Sequence, residues 1–195
     1  MLQHVYDRLV KCKHITNIIV ATSAEGEDDA IENHCASNKI KVFRGCLTDV
    51  SVRIADCLNV YPCQAFVRIS GDSPLIDPKL VDEVICAYEH EKHDICTNVL
   101  LRTYPKGQSV EVISTKTYLR DHTNFENSFD REHVTTYFYA NARKYEINNI
   151  CSNTDYSNVQ MSVDEETDFR LINKILTKLK RDFDWNDALE EINSQ

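Results

Sequence analysis

Apolar residues follow two different spacings along the first half of the chain. Residues 17–22 (NIIVAT), 40–44 (IKVFR) and 64–70 (QAFVRIS) are short runs in which β-branched and aromatic residues recur, and such runs indicate buried strands. Between these runs, apolar residues recur every three or four positions, which indicates amphipathic helices. The alternation predicts an α/β fold, with a mostly parallel, Rossmann-like sheet that has helices on both faces.

The same spacings continue to the C-terminus, where strands and helices are more mixed. The patterns predict strands over residues 17–22, 40–44, 64–70, 93–97, 109–114, 144–150 and 158–163, and helices over residues 2–13, 28–37, 48–60, 78–90, 115–121, 130–140, 165–180 and 185–192. Asp77 before Pro78 is a strong helix start, because aspartate caps a first turn and proline suits its first position. Thr48 or Asp49, and also Asp130, are the predicted caps of two other helices. Since no linker separates two domains, we expect one α/β domain with an inserted or appended β-rich part.

Composition and charge exclude several classes of function. The four glycines among the 195 residues are too scattered to form G-x-G-x-x-G or G-x-x-x-x-G-K-[ST], which excludes a Rossmann dinucleotide turn and a P-loop. A formal net charge of −9 argues against a basic face that binds nucleic acid. The chain has no apolar run of membrane-spanning length, and its N-terminus lacks the pattern of a signal or transit peptide. We therefore expect no nucleic-acid or membrane partner and a cytoplasmic location.

Eight cysteines are spread along the chain without a C-x-x-C pair. Their irregular spacing, and the position of several within apolar runs, favour free cysteines that act as small buried hydrophobes. His90 and His93 form an H-x-x-H pattern at a predicted helix end, but a third metal ligand is missing there. We therefore expect no metal site at this pair.

Two aspartates stand at the carboxyl ends of predicted strands, which is where ligands bind in open α/β sheets. Asp72 follows the strand at residues 64–70 after Gly71, and Asp164 directly follows the strand at residues 158–163. Such carboxylates suit Mg²⁺, which is typically held by one or two carboxylates together with substrate phosphates. Both aspartates also precede helices, so a role as N-cap is the alternative.

Three further segments contain side chains that suit an anion. In residues 44–53 (RGCLTDVSVR) a helix N-terminus lies near arginines, although an ordinary β–α turn has the same pattern. In residues 102–111 (RTYPKGQSVE), Arg102 and Lys106 could hold a carboxylate or a phosphate, and the alternative is a surface turn. Residues 130–133 (DREH) are the third segment, where a charged helix start is the alternative.

Taken together, these segments resemble the acylneuraminate cytidylyltransferase family. Residues 67–84 (VRISGDSPLIDPKLVDEV) are similar to a signature of this family, most of all in its spore-coat-polysaccharide-type branch. Further segments follow in the family's order, namely IIVATS with EDDAI, VFRG with the following DV and R, YPKG with VEV, DREHVT, and SVDEETDF. The resemblance extends from Leu2 to about Leu176, and several motifs in one order are far more specific than any single motif. Related enzymes activate Kdo and sialic acid as CMP-sugars.

The resemblance implies a GT-A-like nucleotidyltransferase fold over residues 1–195, with a small β-rich part at residues 100–140 that forms the sugar pocket or a dimer surface. It also implies the transfer of CMP from CTP to a sugar, often an acidic one, with release of pyrophosphate. In that reaction the sugar hydroxyl attacks the α-phosphate in line, and Mg²⁺ offsets the charge of the phosphates. The implied partners are CTP and a sugar, together with a second copy of the chain in a homodimer.

The family's motifs also imply roles for individual residues. Asp72 matches the metal-binding aspartate of G-D-x-P-L, and Asp164 matches the later aspartate, in V-D-x-x-x-D, so both are expected catalytic residues and Mg²⁺ ligands. The residues expected near the nucleotide are Arg53, Ser70 and Gly71. Those that match motifs around the sugar pocket are Lys106, Glu111, Arg131, Glu132 and His133.

The chain departs from the family pattern in two places. The family begins with a strand and a loop of the form Q-A-R-x-x-S-x-R-L-P-x-K that cradles the triphosphate, and this chain begins after it. Ser109 stands where relatives usually have an acidic residue. We therefore expect little CTP-dependent release of pyrophosphate from the chain as it stands, and a non-catalytic sugar-binding or scaffold protein of the same fold is the alternative. A glycosyltransferase-like domain is less well supported, because Asp72 is not part of a D-x-D motif.

Overall fold

The computed structural model describes residues 1–91, 93–179 and 182–194. Its helices are α1 (Leu2–Leu9), α2 (Asp29–Ser37), α3 (Val50–Val60), α4 (Pro78–His90), α5 (Thr115–Asp121), α6 (Ser128–His133), α7 (Thr136–Ala140), α8 (Glu166–Leu179) and α9 (Trp185–Asn193). Its strands are β1 (Ile19–Ser23), β2 (Lys41–Gly45), β3 (Ala65–Arg68), β4 (Ile95–Thr97), β5 (Glu111–Ser114) and β6 (Ile147–Asn149). Single 3₁₀ turns occur at Gly26–Asp28, His122–Asn124 and Ala142–Lys144.

The strands named above form two sheets. Strands β1 and β2 pair in parallel, with Ile19 opposite Lys41 and Ser23 opposite Gly45, and α2 connects them along the chain. The other sheet has the strand order β3-β5-β4-β6, and its β4 and β6 are parallel. The α/β class is therefore confirmed, whereas the strands lie in two sheets rather than in the single sheet that the pattern predicts.

The chain divides into two compact units. The first unit consists of Met1–Ile15, Val67–Val112 and Ile147–Gln195, and the second consists of Thr16–Phe66 and Ile113–Glu146. The limits between them fall within β3 and β5. The organisation expected from the sequence, one domain over residues 1–195 with an inserted part at 100–140, stays a prediction. The expectation that this part is β-rich is wrong, because it contains one strand, β5, and three helices, α5, α6 and α7.

The core of the first unit lies along α8 and α9. Its buried members are Leu75, Met161, Ile172, Ile175, Ala188 and Leu189. Ile172 and Ile175 belong to the apolar stripe that predicts α8, whereas Phe169 of the same stripe is 39% exposed.

Helix α1 is held to this unit through a buried arginine. Arg8 donates hydrogen bonds to the backbone carbonyls of Ile76 and Phe183, and its guanidinium lies 3.9 Å from the centre of the Phe183 ring. The helix ends at Leu9 rather than at residue 13, because the Lys13 N–H donates to the Asp82 carboxylate at 2.9 Å instead of continuing the helix. The chain that follows α1 is therefore fixed against α4.

In the second unit, α3 packs against β1 and β2. Asp49 is the N-cap of α3 and accepts from the Val52 N–H at 2.9 Å. Of the two predicted caps, Thr48 and Asp49, the structure therefore confirms Asp49. The Tyr118 hydroxyl donates to the carbonyl of Ser51 at 2.9 Å, which joins α5 to α3. The ring of Tyr118 is fully buried among other aromatic side chains, including Phe125.

The helix predicted over residues 130–140 is wrong, since two short helices stand in its place. Val134, between α6 and α7, is buried and has φ of +61°, a backbone conformation that ends an α-helix and that a β-branched residue rarely adopts. Asp130 is not the cap either. Helix α6 begins at Ser128 and is capped by Asn127, whose side chain accepts from the Asp130 N–H at 2.7 Å.

The strand predicted over residues 158–163 is also wrong. Only Gln160 of this segment forms a β-bridge, parallel to Lys106. The residue after Lys106 is Gly107, which has φ of +92°, a value that strand residues do not adopt. The partner backbone therefore turns away after one residue pair.

The prediction that the cysteines are buried is right for only some of them. All eight are free, and Cys12, Cys35 and Cys96 are buried, whereas Cys46, Cys63 and Cys151 are exposed. In the described segments no helix is both long and apolar enough to cross a membrane. The cytoplasmic location stays a prediction.

A pH-dependent contribution to stability is expected at Asp28. Hydrogen bonds from the Ser23 hydroxyl, the Thr22 hydroxyl and the Ser23 N–H lower the pKa of Asp28 from 3.8 to about 2. Because the pKa is lower in the folded state, this carboxylate stabilises the fold above pH ~4 and ceases to do so as the pH falls through about 2. An NMR titration of the carboxyl carbon should give a midpoint of about 2 for Asp28.

The effect of Asp28 on stability is measured with two variants, one of which is a control. Asp28→Asn should make the free energy of unfolding less sensitive to acid in this pH range, whereas Glu27→Gln, at an exposed position of the same turn, should leave the sensitivity unchanged. A midpoint near the value of an unperturbed carboxyl group would contradict the prediction.

Candidate active site

A cleft of about 260 Å³ lies in the first unit, where the chain leaves β3. Its lining residues are Arg68, Ser70, Asp72, Ser73, Arg102, Lys106, Gly107, Ser109, Glu111 and Ser162. The structure thus brings together Ser70, Asp72, Lys106 and Glu111, which motifs far apart in the sequence predict as site residues. Asp72 belongs to the turn between β3 and α4, so the prediction that a ligand site follows this strand agrees with the position of the cleft.

One wall of the cleft is an ion pair between neighbouring strands. Arg68 of β3 donates through Nη1 to Oε2 of Glu111 in β5 at 2.6 Å. The Glu111 side chain is only 2% exposed, and burial of a carboxylate is tolerated when a cation and hydrogen bonds compensate its charge. The pair therefore fixes a charged surface at the cleft, with the positive member the more exposed.

Another part of the cleft surface depends on a close approach of two backbone segments. The Lys106 N–H donates to the carbonyl of Val159 at 2.9 Å, and the Met161 N–H donates to the carbonyl of Lys106 at 2.8 Å. A Cβ atom on Gly107 would lie 2.5 Å from the carbonyl carbon of Met161, so only glycine allows this distance. The segment is consequently not a surface turn, and it places the exposed Lys106 at the cleft together with Ser162.

Arg102 brings a third cation to the cleft, beside Arg68 and Lys106. Its Nη2 donates to the Ser109 hydroxyl at 3.0 Å, while Nη1 is buried and has no hydrogen-bond partner among the described residues. A buried donor without an acceptor is unfavourable unless a ligand or water satisfies it. In the family pattern an acidic residue stands where this chain has Ser109. At that position no carboxylate therefore balances the charge of the Arg102 guanidinium.

The carboxylates of Asp72 and Asp164 are not helix caps in the described structure. Helix α4 is capped by Asp77, which accepts from the Lys79 N–H at 2.8 Å. At the start of α8 it is Asp168 that accepts from the N–H groups of residues 164 and 165, both at 3.0 Å. The N-cap alternative is therefore wrong for both aspartates.

Asp72 and Asp164 stand on adjoining segments of the first unit. The Val163 N–H donates to the carbonyl of Asp72 at 2.9 Å. The Asp72 carboxylate accepts from the Ser73 hydroxyl at 2.8 Å, and the Asp164 carboxylate accepts from the Gln160 side chain at 2.7 Å. Two carboxylates on neighbouring segments fit the donor set of Mg²⁺, which binds one or two carboxylates together with phosphates. Asp164 itself is not among the residues that line the cleft.

Arg53, predicted near the nucleotide, belongs to α3 in the second unit. Its Nη1 donates to the carbonyl of Cys46 at 3.0 Å, and its Nε is buried without a partner among the described residues. A Cβ on Gly45 would come within 2.9 Å of Cγ of Arg53, so this glycine makes room for the arginine. Arg44, in contrast, uses its guanidinium within the fold, where it pairs with Asp29 and Glu32 at 2.6 Å each.

The predicted sugar-pocket residues 131–133 also belong to the second unit, in α6. Arg131 donates to the carbonyl of Phe125 at 2.9 Å and lies 3.7 Å from the carboxylate of Asp49. Glu132 and His133 are exposed, and the His133 ring contacts the ring of Phe129. Roles for these residues in sugar binding stay predictions.

Arg68 is a charged cleft residue that is not predicted from the sequence, and Ser73 and Ser162 are not predicted either. A signal for Arg68 exists, because side chains alternate between the two faces of a strand, so that residues two apart share a face. Arg68 is two residues before Ser70, and both line the cleft. The same spacing relates Ser109 to Glu111.

Comparisons with known proteins identify relatives of the whole chain. A family model described as Cytidylyltransferase matches residues 1–194. An uncharacterised protein of Methanocaldococcus jannaschii is 30% identical over 189 residues, which cover 94% of this chain and 74% of that protein. The spore coat polysaccharide biosynthesis protein SpsF of Bacillus subtilis is 31% identical over 133 residues, which cover 67% of this chain and 54% of SpsF.

A third relative is the 8-amino-3,8-dideoxy-manno-octulosonate cytidylyltransferase of a Shewanella species. It is 28% identical over 141 residues, which cover 71% of this chain and 53% of the enzyme. The chain thus spans about half the length of SpsF and of this enzyme.

Solved structures agree with the fold. A cytidylyltransferase from Leptospira borgpetersenii superposes with a TM-score of 0.93 at 26% identity, covering 99% of this chain and 82% of that one. CMP:2-keto-3-deoxy-manno-octonic acid synthetase complexed with CTP superposes with a TM-score of 0.67 at 12% identity, covering 92% and 88%. The second likeness concerns the fold alone, and it agrees with the expected GT-A-like architecture.

Proposed function

The chain belongs to the cytidylyltransferase family, and on this premise we propose that it transfers CMP from CTP to an acidic sugar with release of pyrophosphate. The observation that carries the proposal is the charge pattern of the cleft. Asp72 follows β3 at the cleft, which is also lined by Arg102 and Lys106. A metal-binding carboxylate and cations in one cleft suit a reaction between a nucleoside triphosphate and an anionic acceptor.

The proposed chemistry assigns separate tasks to these residues. Asp72 and Asp164 would hold Mg²⁺, which when bound offsets the negative charge of the phosphates. The acceptor hydroxyl attacks the α-phosphorus of CTP, so that a new P–O bond forms, the bond to pyrophosphate breaks and the hydroxyl proton is released. Arg102 and Lys106 orient the acceptor through its acidic group. The Arg68–Glu111 pair forms another charged part of the same cleft.

The acidic class of acceptor rests on the buried Nη1 of Arg102, which has no partner among the described residues. A carboxylate would supply the missing acceptor, and arginine binds carboxylates with two parallel hydrogen bonds. The Shewanella relative is named for an octulosonate, an acidic sugar. Membership of the acylneuraminate branch is part of this proposal, and the name of the matched family does not favour the non-catalytic alternative.

The proposal is tested first by binding, because binding reports on the cleft itself. By isothermal titration calorimetry, CTP should bind only weakly without Mg²⁺ and clearly with it. An octulosonate should bind more tightly than a neutral analogue in which the carboxylate is reduced to an alcohol. Pyrophosphate release from CTP in the presence of Mg²⁺ and the octulosonate is the second readout, and clear release would overturn the expectation of little release that the sequence pattern gives. Failure to bind either CTP or any sugar acid would contradict the proposal.

Arg102→Met should weaken the binding of an acidic sugar by roughly ten- to a hundredfold, the value of a hydrogen bond to a charged group. Binding of CTP with Mg²⁺ should change far less, because the lost guanidinium acts on the acceptor. Arg170→Met is the matched control, since Arg170 is 77% exposed on α8 and pairs there with Glu166. If Arg102→Met and Arg170→Met bind the sugar acid equally well, Arg102 does not recognise it.

A further inference from the structure

A chain of three polar side chains lies outside the cleft, on α4 and the segment that follows α1. Cys86 Sγ is 3.3 Å from Nε2 of His14, and Nδ1 of the same ring is 3.2 Å from Oε2 of Glu89. Cys86 and Glu89 are three residues apart on α4 and therefore share one face of this helix. The three ligand atoms lie within 4.8 Å of one another.

The backbone segment that carries His14 is held against α4 by hydrogen bonds. The N–H groups of Lys13 and His14 donate to the carboxylate of Asp82 at 2.9 and 3.1 Å. Asp82 is one helical turn before Cys86, so the segment after α1 is anchored directly beside the thiol. The backbone that carries His14 is thus held near Cys86, and the ring completes the contact through its two nitrogens.

We propose that Cys86 is a nucleophilic thiol, with His14 as its base and Glu89 as the residue that orients the imidazole, and that it exchanges with small-molecule disulfides. Nucleophile, base and orienting carboxylate in hydrogen-bond reach are the arrangement that activates a cysteine. Glu89 accepts from Nδ1–H, which leaves the lone pair of Nε2 for the thiol proton. Cys86 is partly exposed, so a small reagent reaches it.

The exchange balances without any further oxidant. Nε2 of His14 takes the thiol proton, and the thiolate attacks one sulfur of the disulfide. The new bond joins Cys86 to that sulfur as the original S–S bond breaks, and the departing thiolate takes the proton back from the imidazolium. Cys86 is oxidised to a mixed disulfide, and the other half of the reagent is reduced to a thiol.

A metal ion is the competing occupant of these residues, and the geometry does not favour it. Cys86 and Glu89 contact different nitrogens of one ring, whose lone pairs diverge. A single ion needs lone pairs that converge on one point, and a histidine offers it only one nitrogen. The observed contacts run in sequence from thiol to ring to carboxylate.

Other cysteines of the chain provide internal references. Burial raises the pKa of Cys12 to about 12 and the pKa values of Cys57 and Cys96 to about 11. Cys57 has the same intermediate exposure as Cys86. Because burial itself makes Cys57 unreactive, the exposed Cys63 and Cys151 are the stricter references: they are more accessible than Cys86, so a faster reaction of Cys86 cannot come from access.

The test measures the alkylation rate of each cysteine by iodoacetamide at pH 7 with peptide mass spectrometry. Because His14 lies in hydrogen-bond reach of the thiol and can take its proton as the reagent is attacked, Cys86 should react at least roughly tenfold faster than the exposed Cys63 and Cys151. His14→Asn should remove this acceleration while Cys63 and Cys151, which are exposed, keep their rates. Oxidised glutathione should form a mixed disulfide at Cys86 before it does so at the exposed Cys63 and Cys151.

Variants of Glu89 test the orienting role. Glu89→Gln keeps an acceptor for Nδ1–H and should retain more of the Cys86 rate than Glu89→Leu, which keeps none. Equal rates in these two variants would overturn the role of Glu89. An unchanged Cys86 rate in His14→Asn would overturn the whole proposal. So would protection of Cys86 by one equivalent of Zn²⁺ in the native chain, since that result identifies a metal site.

Discussion

Asp72→Asn is expected to lower the rate of CMP transfer by roughly 10²- to 10³-fold, the range for losing one electrostatic contact to the reacting phosphates. The amide has nearly the same shape as the carboxylate but lacks its charge, so it holds Mg²⁺ poorly. The Mg²⁺-dependent part of CTP binding should fall in parallel. Pyrophosphate release measures the rate and calorimetry measures CTP binding. Both should fall because the variant holds Mg²⁺ poorly.

The fold should tolerate this substitution. The hydroxyl of Ser73 donates to Asp72 at 2.8 Å, and the amide oxygen of asparagine can accept the same bond. Asp72 caps no helix, because Asp77 has that role for α4. The free energy of unfolding should therefore change by less than about 0.5 kcal/mol, as for most substitutions that remove no packing.

Two other aspartates separate activity from stability. Asp155→Asn is the matched control, because Asp155 is an exposed turn residue that accepts from the Ser157 N–H at 2.8 Å; its rate should equal that of the unchanged chain. Asp77→Ala should show the opposite pattern to Asp72→Asn, with lower stability from the lost cap. Unchanged transfer in Asp72→Asn would remove Asp72 from the metal site.

The parts of the fold that the sequence predicts well are those decided by neighbouring residues. Asp77 and Pro78 determine the start of α4 through the chemistry of one helical turn, and the structure places the helix at Pro78–His90. The interruption at Val134 has no such local signal. Its buried side chain and positive φ arise from packing in the second unit, which a pattern of residue spacing does not contain.

The residues of the candidate site also differ in how far the sequence alone predicts them. Asp72 is found from its position after β3, because a strand end in an α/β fold is itself a local signal for ligands, whereas Ser70 is found only through the resemblance to the family. The role of Arg102 depends on its contact with Ser109 and on burial of Nη1. Spacing indicates that a cation is present, but only the folded chain shows which of its atoms lacks a partner.

Gly107→Ala is expected to destabilise the first unit by about 3 kcal/mol, from the combined strain of a positive φ and of overpacking. Gly107 has φ of +92°, and a Cβ there would lie 2.5 Å from the carbonyl carbon of Met161 and 2.6 Å from the nitrogen of Ser162. These are backbone atoms, so no side-chain rotation relieves the contact. Denaturant unfolding measures the loss.

The effect should extend to the cleft. The two backbone hydrogen bonds between Lys106 and residues 159 and 161 hold together the wall to which Lys106 and Ser162 belong. A methyl group that separates the segments should weaken these bonds and displace the ammonium of Lys106, so the binding of the sugar acid should fall together with stability. Binding of CTP with Mg²⁺ is measured alongside and should be less affected.

Gly71→Ala is the matched control for stability. A Cβ at Gly71 would have no atom within 4 Å and the residue has no positive φ, so alanine should change the free energy of unfolding by less than about 0.5 kcal/mol. Both substitutions add one methyl group to a glycine in a loop of the same unit, and two features distinguish them, the positive φ of Gly107 and the close approach of Met161. Equal stability of the two variants would show that the backbone near Met161 yields to a methyl group, in which case Gly107 is not what determines this wall of the cleft.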